Sequence, residues 1–208
     1  MTKWEQIART TVGEDYASAY ARRFHAMAER GEDVHGEAGF FAGLVPAPAR
    51  VLDAGCGTGR IAVRLDELGY DVVGVDVDAA MLDQARLSAP GLDWRRADLA
   101  TMDLGASFDA VLVAGNTIPL LEEGTLRAAC ERIAAHTVAE GAVVCGFGLD
   151  AAHLPAGCPP TALEDVDAAM AAAGLTPARR FGTWDGAGFD PAGGYVVTVH
   201  TRSAAVSA

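Results

Sequence analysis

Short apolar runs alternate along the chain with stretches in which apolar residues recur every three or four positions. The runs cover residues 50–54, 72–76, 93–97, 108–114 and 142–147, each short enough for a strand buried on both faces. Between them lie Ile61, Leu65 and Leu68, stopped by Gly69; Met81, Leu82 and Ala85, capped by Asp78 and ended by Pro90; and Leu126, Cys130, Ile133 and Thr137, broken by Gly141. A last helix opens on the capping-box pattern Thr161-Ala162-Leu163-Glu164 and closes at Gly174. Strands and helices alternating in this way predict a parallel sheet covered on both sides. Residues 177–184 and 194–202 read as two further strands. Their connector, Asp185 to Gly193, is too short for a parallel crossover, so the final strand must run antiparallel. The predicted fold is α/β: a doubly wound, seven-stranded, mostly parallel sheet with an antiparallel last strand and helices on both faces.

Upstream of the first strand, Tyr16, Tyr20, Phe24 and Met27 share one side of a predicted helix over residues 14–30. Glycines 31, 36 and 39 punctuate the next stretch, where Ala38, Phe41, Leu44 and Val45 suggest a short helix stopped by Pro46 and Pro48. His35 and Glu37 flank Gly36 and read as a solvated turn rather than a catalytic pair. The chain divides into an N-terminal helical segment, residues 1–45, and a sheet unit, residues 46–203, within one globular domain.

The stretch Val51-Leu52-Asp53-Ala54-Gly55-Cys56-Gly57-Thr58-Gly59-Arg60 joins the first strand to the first sheet helix. Alternating glycines allow a tight turn and a close approach of ligand to backbone, at a helix N-terminus that presents free N–H groups. A dinucleotide fold would place an apolar residue at Asp53 and glycine or alanine at Arg60. Instead an acid ends this strand, and acids also end the next two: Val72-Val73-Gly74-Val75-Asp76 and Arg96-Ala97-Asp98-Leu99.

These three strand ends, with Phe108-Asp109-Ala110-Val111-Leu112-Val113 and the following Asn116, resemble the motifs of the class I S-adenosylmethionine-dependent methyltransferases, which share a Rossmann-like fold. Order and spacing agree from about residue 45 onward. The resemblance implies that Gly55, Cys56 and Gly57 back the methionine portion of the cofactor and that Asp53 orients the loop and the ligand's ammonium group. It further implies that Asp76 accepts from both ribose hydroxyls, Val77 and Leu99 sandwich the adenine, and Asp98 accepts from its exocyclic amine. Ala114 and Asn116 would border the methionine end. Met81 and Tyr20 complete the implied cofactor set, Tyr20 from an N-terminal helix whose aromatic stripe either packs on the sheet unit or forms a lid, as N-terminal helices often do in this family.

Net charge separates the ligand classes further. Sixteen basic against 28 acidic side chains give a formal charge of -12, which disfavours bulk nucleic acid, and a cleft lined by aspartates would repel a pyrophosphate while tolerating a cationic sulfonium. Four cysteines, at 56, 130, 145 and 158, contain no C-x-x-C pair and read as reduced structural thiols; no metal is expected. No run approaches the roughly 18 apolar residues of a membrane helix, and the N-terminus opens no signal peptide, so a soluble, cytoplasmic protein is expected.

The acceptor carries no motif. The N-P-P-[YFW] signature of enzymes that methylate amines on nucleic acid or protein is replaced by Gly115-Asn116-Thr117-Ile118-Pro119, which favours a small molecule. Two other classes stand beside this reading: a non-catalytic S-adenosylmethionine-binding regulator, and a dinucleotide-dependent oxidoreductase, which Asp53, Arg60 and Asp98 disfavour. His153, in the loop after the fifth strand, is the one candidate base, set against an exposed loop histidine. Positioning alone accelerates an in-line displacement, so replacing His153 is expected to cost less than the roughly hundredfold of lost acid–base catalysis.

Overall fold

A computed structural model describes residues 1–204. Among the described residues seven strands form one sheet: β1 (Arg50–Ala54), β2 (Asp71–Asp76), β3 (Asp93–Arg96), β4 (Phe108–Val113), β5 (Thr137–Gly148), β6 (Leu175–Phe181) and β7 (Tyr195–Arg202). Their order is β3-β2-β1-β4-β5-β7-β6, parallel except that β7 runs antiparallel to both β5 and β6. Reversal of strand order between β1 and β4 opens a crevice at the carboxyl ends of these strands, where doubly wound sheets bind ligands.

Eight helices accompany the sheet among the described residues: α1 (Lys3–Val12), α2 (Tyr16–Glu29), α3 (Gly36–Ala42), α4 (Arg60–Glu67), α5 (Ala79–Ser88), α6 (Thr117–Leu120), α7 (Leu126–His136) and α8 (Leu163–Ala172). One face of the sheet packs Leu52, Val73, Val111 and Val143 against Cys130 and Ile133 of α7 and Met170 of α8. The other packs Val51, Val72, Leu112 and Val144 against Phe41, Leu65 and Leu82. Both layers exclude water from the strands, which is why β1, β2 and β4 carry nearly unbroken apolar runs. No helix among the described residues is long and apolar enough to cross a membrane.

Several boundaries differ from the sequence reading, each for a local reason. Helix α1 was missed although Thr2 and Glu5 form a capping box, the Thr2 hydroxyl accepting from the Glu5 N–H and the Glu5 carboxylate accepting from the Thr2 N–H. The Thr161 capping box does not form: Ala162 occupies the N-cap, which puts Thr161 one residue too early, and the helix draws instead on Glu164 and Asp165 in its first turn. Thr137 belongs to β5 rather than the helix face, its hydroxyl bonding back to the Ile133 carbonyl. Gly141 lies inside that strand, where a Cβ would come within 2.9 Å of the Asp109 carbonyl. Leu68 caps α4 at the surface rather than packing inside. Pro177 interrupts pairing at a register shift in β6, an edge strand able to tolerate it.

His200 in β7 is 1% exposed and neither ring nitrogen has a partner among the described residues. Burial lowers its pKa from 6.5 to about 4. Because the folded state then binds fewer protons than the unfolded one, this contribution to stability is intact above pH 6.5 and is lost as pH falls toward 4. Wild type should lose about 2 kcal/mol relative to His200→Leu between pH 7 and pH 5. Denaturant titrations of both proteins at the two pH values measure that difference, and parallel curves would refute it.

Candidate functional site

The loop after β1 is pinned to β2. The Gly55 and Cys56 N–H groups both donate to the Val75 carbonyl, at 2.7 and 3.0 Å, and the Gly57 N–H donates to Asp76 Oδ2 at 2.8 Å. Gly55 has φ +83°, and a Cβ there would stand 2.4 Å from the Thr117 hydroxyl, so the loop after β4 packs where only hydrogen fits.

Asp53, Asp76 and Asp98 converge on one cleft of about 880 Å³ at the carboxyl ends of the strands. Asp53 is 1% exposed and its Oδ2 has no partner among the described residues. Burial raises its pKa to about 7, against the pull of the Arg60 guanidinium. Asp76 is raised to about 6, again by burial, tempered by the N–H groups of Asp78 and Gly57 that its two oxygens accept. Asp98 is exposed and its Oδ1 accepts from the Ala100 N–H at 2.8 Å. Gly55, Cys56, Gly57, Val77, Met81, Leu99, Ala114 and Asn116 border the same cleft, as do Tyr20 and His153, so the candidate cofactor residues and the candidate base lie together there, whereas His35 does not line it.

The N-terminal helices wall the cleft through contacts that spacing alone did not reveal. Tyr16 is buried and donates to Asp78 Oδ2 at 2.7 Å, tying α2 to the residue that caps α5. Arg60, at the start of α4, forms a bidentate pair with Glu37 at 2.7 and 3.0 Å, donates to the Val34 carbonyl, and stacks 4.5 Å from the Phe24 ring centroid. Glu37 is therefore an ion-paired residue rather than part of a solvated turn. Trp4 and Ile7 of α1 also face the cleft. Lys3 holds α1 to the opposite lip through the carbonyls of Pro119 and Leu121.

On the far wall Asn116, in the left-handed region at φ 66°, spends both ends of its amide: Oδ1 accepts from the Gly148 N–H at 2.7 Å and Nδ2 donates to the His153 carbonyl at 2.9 Å. Its side chain thus fixes the loop after β5.

This architecture is shared with solved proteins. The crystal structure of a TehB-like S-adenosylmethionine-dependent methyltransferase from Corynebacterium glutamicum superposes with a TM-score of 0.81 at 32% identity, over 90% of this chain and 98% of that one. The chain belongs to the class I S-adenosylmethionine-dependent methyltransferases. A methyltransferase-domain family model matches residues 51–141 of this methyltransferase. It is 35% identical over 136 residues to the dTDP-3-amino-3,6-dideoxy-alpha-D-glucopyranose N,N-dimethyltransferase of Streptomyces fradiae, a match covering 62% of this chain and 53% of that enzyme. Among solved structures it also resembles S-adenosylmethionine-bound CalS10, an amino pentose methyltransferase from Micromonospora echinaspora, with a TM-score of 0.69 and 26% identity over 86% of this chain and 95% of that one. The cofactor of this methyltransferase is S-adenosylmethionine. The cleft fits it: Asp53 Oδ2 is a buried acceptor still lacking a donor, and two carboxylates strained by burial suit a ligand bearing cationic and hydroxyl groups.

Proposed function

We propose that this methyltransferase transfers a methyl group to a small amine that carries no phosphate. The observation that carries the reading is the charge of the cleft, which among the described residues is lined by Asp33, Glu37, Asp53, Asp76, Asp98 and Glu122 against Arg23 and Arg60. Arg60 is already committed to Glu37 and Val34, so the walls offer a phosphate little counter-charge. A cation or a neutral amine meets no such penalty. A relative named as an amino-sugar N,N-dimethyltransferase supports nitrogen as the acceptor atom. The cleft, at about 880 Å³, lies toward the upper end of the roughly 300–1,000 Å³ of small-molecule sites, which leaves room for an acceptor beside the cofactor.

When bound, S-adenosylmethionine supplies an electrophilic methyl carbon on a sulfonium. The chain's own part is positional. Asp76 accepts from the ribose hydroxyls while holding the Gly57 N–H; Asp53 faces the ammonium group; Val77 and Leu99 enclose the adenine with Asp98 at its edge. Gly55 to Gly57, Ala114 and Met81 shape the methionine end, and residues 1–45 act as a lid whose Tyr20 limits water. Held collinear, donor and acceptor gain much of the rate from orientation.

Assaying transfer of labelled methyl groups to a panel of phosphate-free amino sugars and aliphatic amines, beside dTDP-3-amino-3,6-dideoxyglucose, tests the reading. At least one phosphate-free amine should exceed the nucleotide sugar by tenfold or more in kcat/KM. Preference for the nucleotide sugar, or for hydroxyl acceptors, would overturn it.

A further inference from the structure

The loop after β5 is built around one histidine. Asp150 Oδ1 lies 2.8 Å from His153 Nδ1, and a carboxylate only accepts, so Nδ1 carries a proton and, in the neutral ring, Nε2 is the nitrogen left with the lone pair. Asp150 also accepts from the N–H groups of Ala152 and His153, which closes the loop into a compact turn. Two glycines leave the space that the pair occupies. A Cβ at Gly194 would lie 2.3 Å from Asp150 Oδ2 and 2.5 Å from His153 Nδ1, and one at Gly148 would lie 2.6 Å from the His153 carbonyl. The Tyr195 ring sits 6.2 Å from the imidazole, centroid to centroid. Through its carbonyl His153 is held by Asn116, whose neighbour Thr117 packs on Gly55 of the cofactor loop. One short chain of contacts therefore connects the imidazole to the loop after β1. His153 borders the cleft, whereas Asp150 stands outside it.

We propose that His153 is the catalytic base of the methyl transfer, with Asp150 as the residue that sets its tautomer and orientation. This rests on the amine reading above. The acceptor nitrogen's lone pair forms the bond to the methyl carbon, the carbon–sulfur pair returns to sulfur, and the proton the nitrogen sheds passes to His153 Nε2. The resulting imidazolium is stabilised by the Asp150 carboxylate and returns its proton to solvent through its exposed edge, the side chain being 42% accessible. Asp150 alters the expectation drawn from sequence, because an oriented histidine is a better base than a free loop residue.

Two measurements decide it. Nitrogen-15 spectra of the full-length protein with S-adenosylhomocysteine, taken where the imidazole is neutral, should show a protonated Nδ1 and a bare Nε2. Asp150→Ala should shift His153 toward the Nε2–H tautomer. A protonated Nε2 in wild type overturns the proposal. With the best amine of the panel, His153→Gln should lose about a hundredfold or more in kcat and Asp150→Ala about tenfold, while S-adenosylhomocysteine affinity changes less than twofold in both. A loss under tenfold in His153→Gln overturns the base and leaves the amine reading standing. Failure of wild type to methylate any amine overturns the amine reading, and the base proposal with it.

Discussion

Asp76→Ala should weaken S-adenosylhomocysteine binding by about 1.5–3 kcal/mol, the scale for hydrogen bonds to a charged group. Two losses combine. On the proposed assignment the ribose hydroxyls lose their acceptor, and the Gly57 and Asp78 N–H groups lose the carboxylate that fixes the loop after β1 against the end of β2. Asp76→Asn separates them, because its single carbonyl oxygen can restore only one of the two backbone bonds and carries no charge; it should fall between Ala and wild type. Calorimetry on folded variants measures this, and an unchanged affinity in Asp76→Ala would remove the ribose assignment.

Affinity should also depend on pH in a defined direction. Asp53 and Asp76, with pKa values near 7 and 6, take up protons as pH falls from 8 to 5, and each protonation removes negative charge that a sulfonium and an ammonium group favour. Binding should weaken by roughly tenfold or more across that range and do so less in Asp76→Asn. Stability of the unliganded protein moves the other way. Both carboxyls have folded pKa values above 3.8, so the folded state holds the extra protons and their contribution declines as pH rises from about 4 to 7. They oppose His200 there, which is why the His200 effect must be read as a difference between wild type and variant.

How much of this was legible in sequence depended on how local the cause was. The strand ends at Asp53, Asp76 and Asp98 could be read because apolar runs stop there and topology carries all such ends to one edge. The antiparallel β7 followed from connector length. By contrast, Arg60 appeared only as a departure from a dinucleotide motif: its partners Glu37, Val34 and Phe24 lie 23 to 36 residues away, and no periodicity links them. Asp150 precedes His153 by three residues and could have been noticed. What gives that spacing meaning is the room left by Gly194, distant in sequence. Trp94 was similarly silent, although it fills the space over Gly59 and Gly74, where a Cβ at either would come within 2.4 Å of its ring.

Arg60→Ala should cost about 2–3 kcal/mol of stability and, more tellingly, should release the N-terminal segment while leaving the sheet folded. Removing one member of a buried ion pair costs about 3–5 kcal/mol because the other charge remains without its counter-ion. The Arg60 and Glu37 side chains are 14% and 17% exposed, so solvent screens part of that penalty. Helix α2 loses its guanidinium contact at Phe24 in the same step, and Val34 loses its donor. Tyr16 still holds the start of α2 on Asp78, so the opening should begin at the far end, near Phe24 and Met27. Hydrogen exchange should therefore accelerate across residues 20–35 and remain slow in β1, β4 and β5. Cofactor affinity should fall as well, since Arg60 is the charge that favours ionised Asp53; without it Asp53 holds its proton to higher pH. Adding Glu37→Gln should recover part of the stability by removing the stranded charge, but none of the Asp53 effect, which separates fold from electrostatics in a double-mutant cycle. Uniform exchange acceleration across the sheet would show instead that Arg60 supports the core.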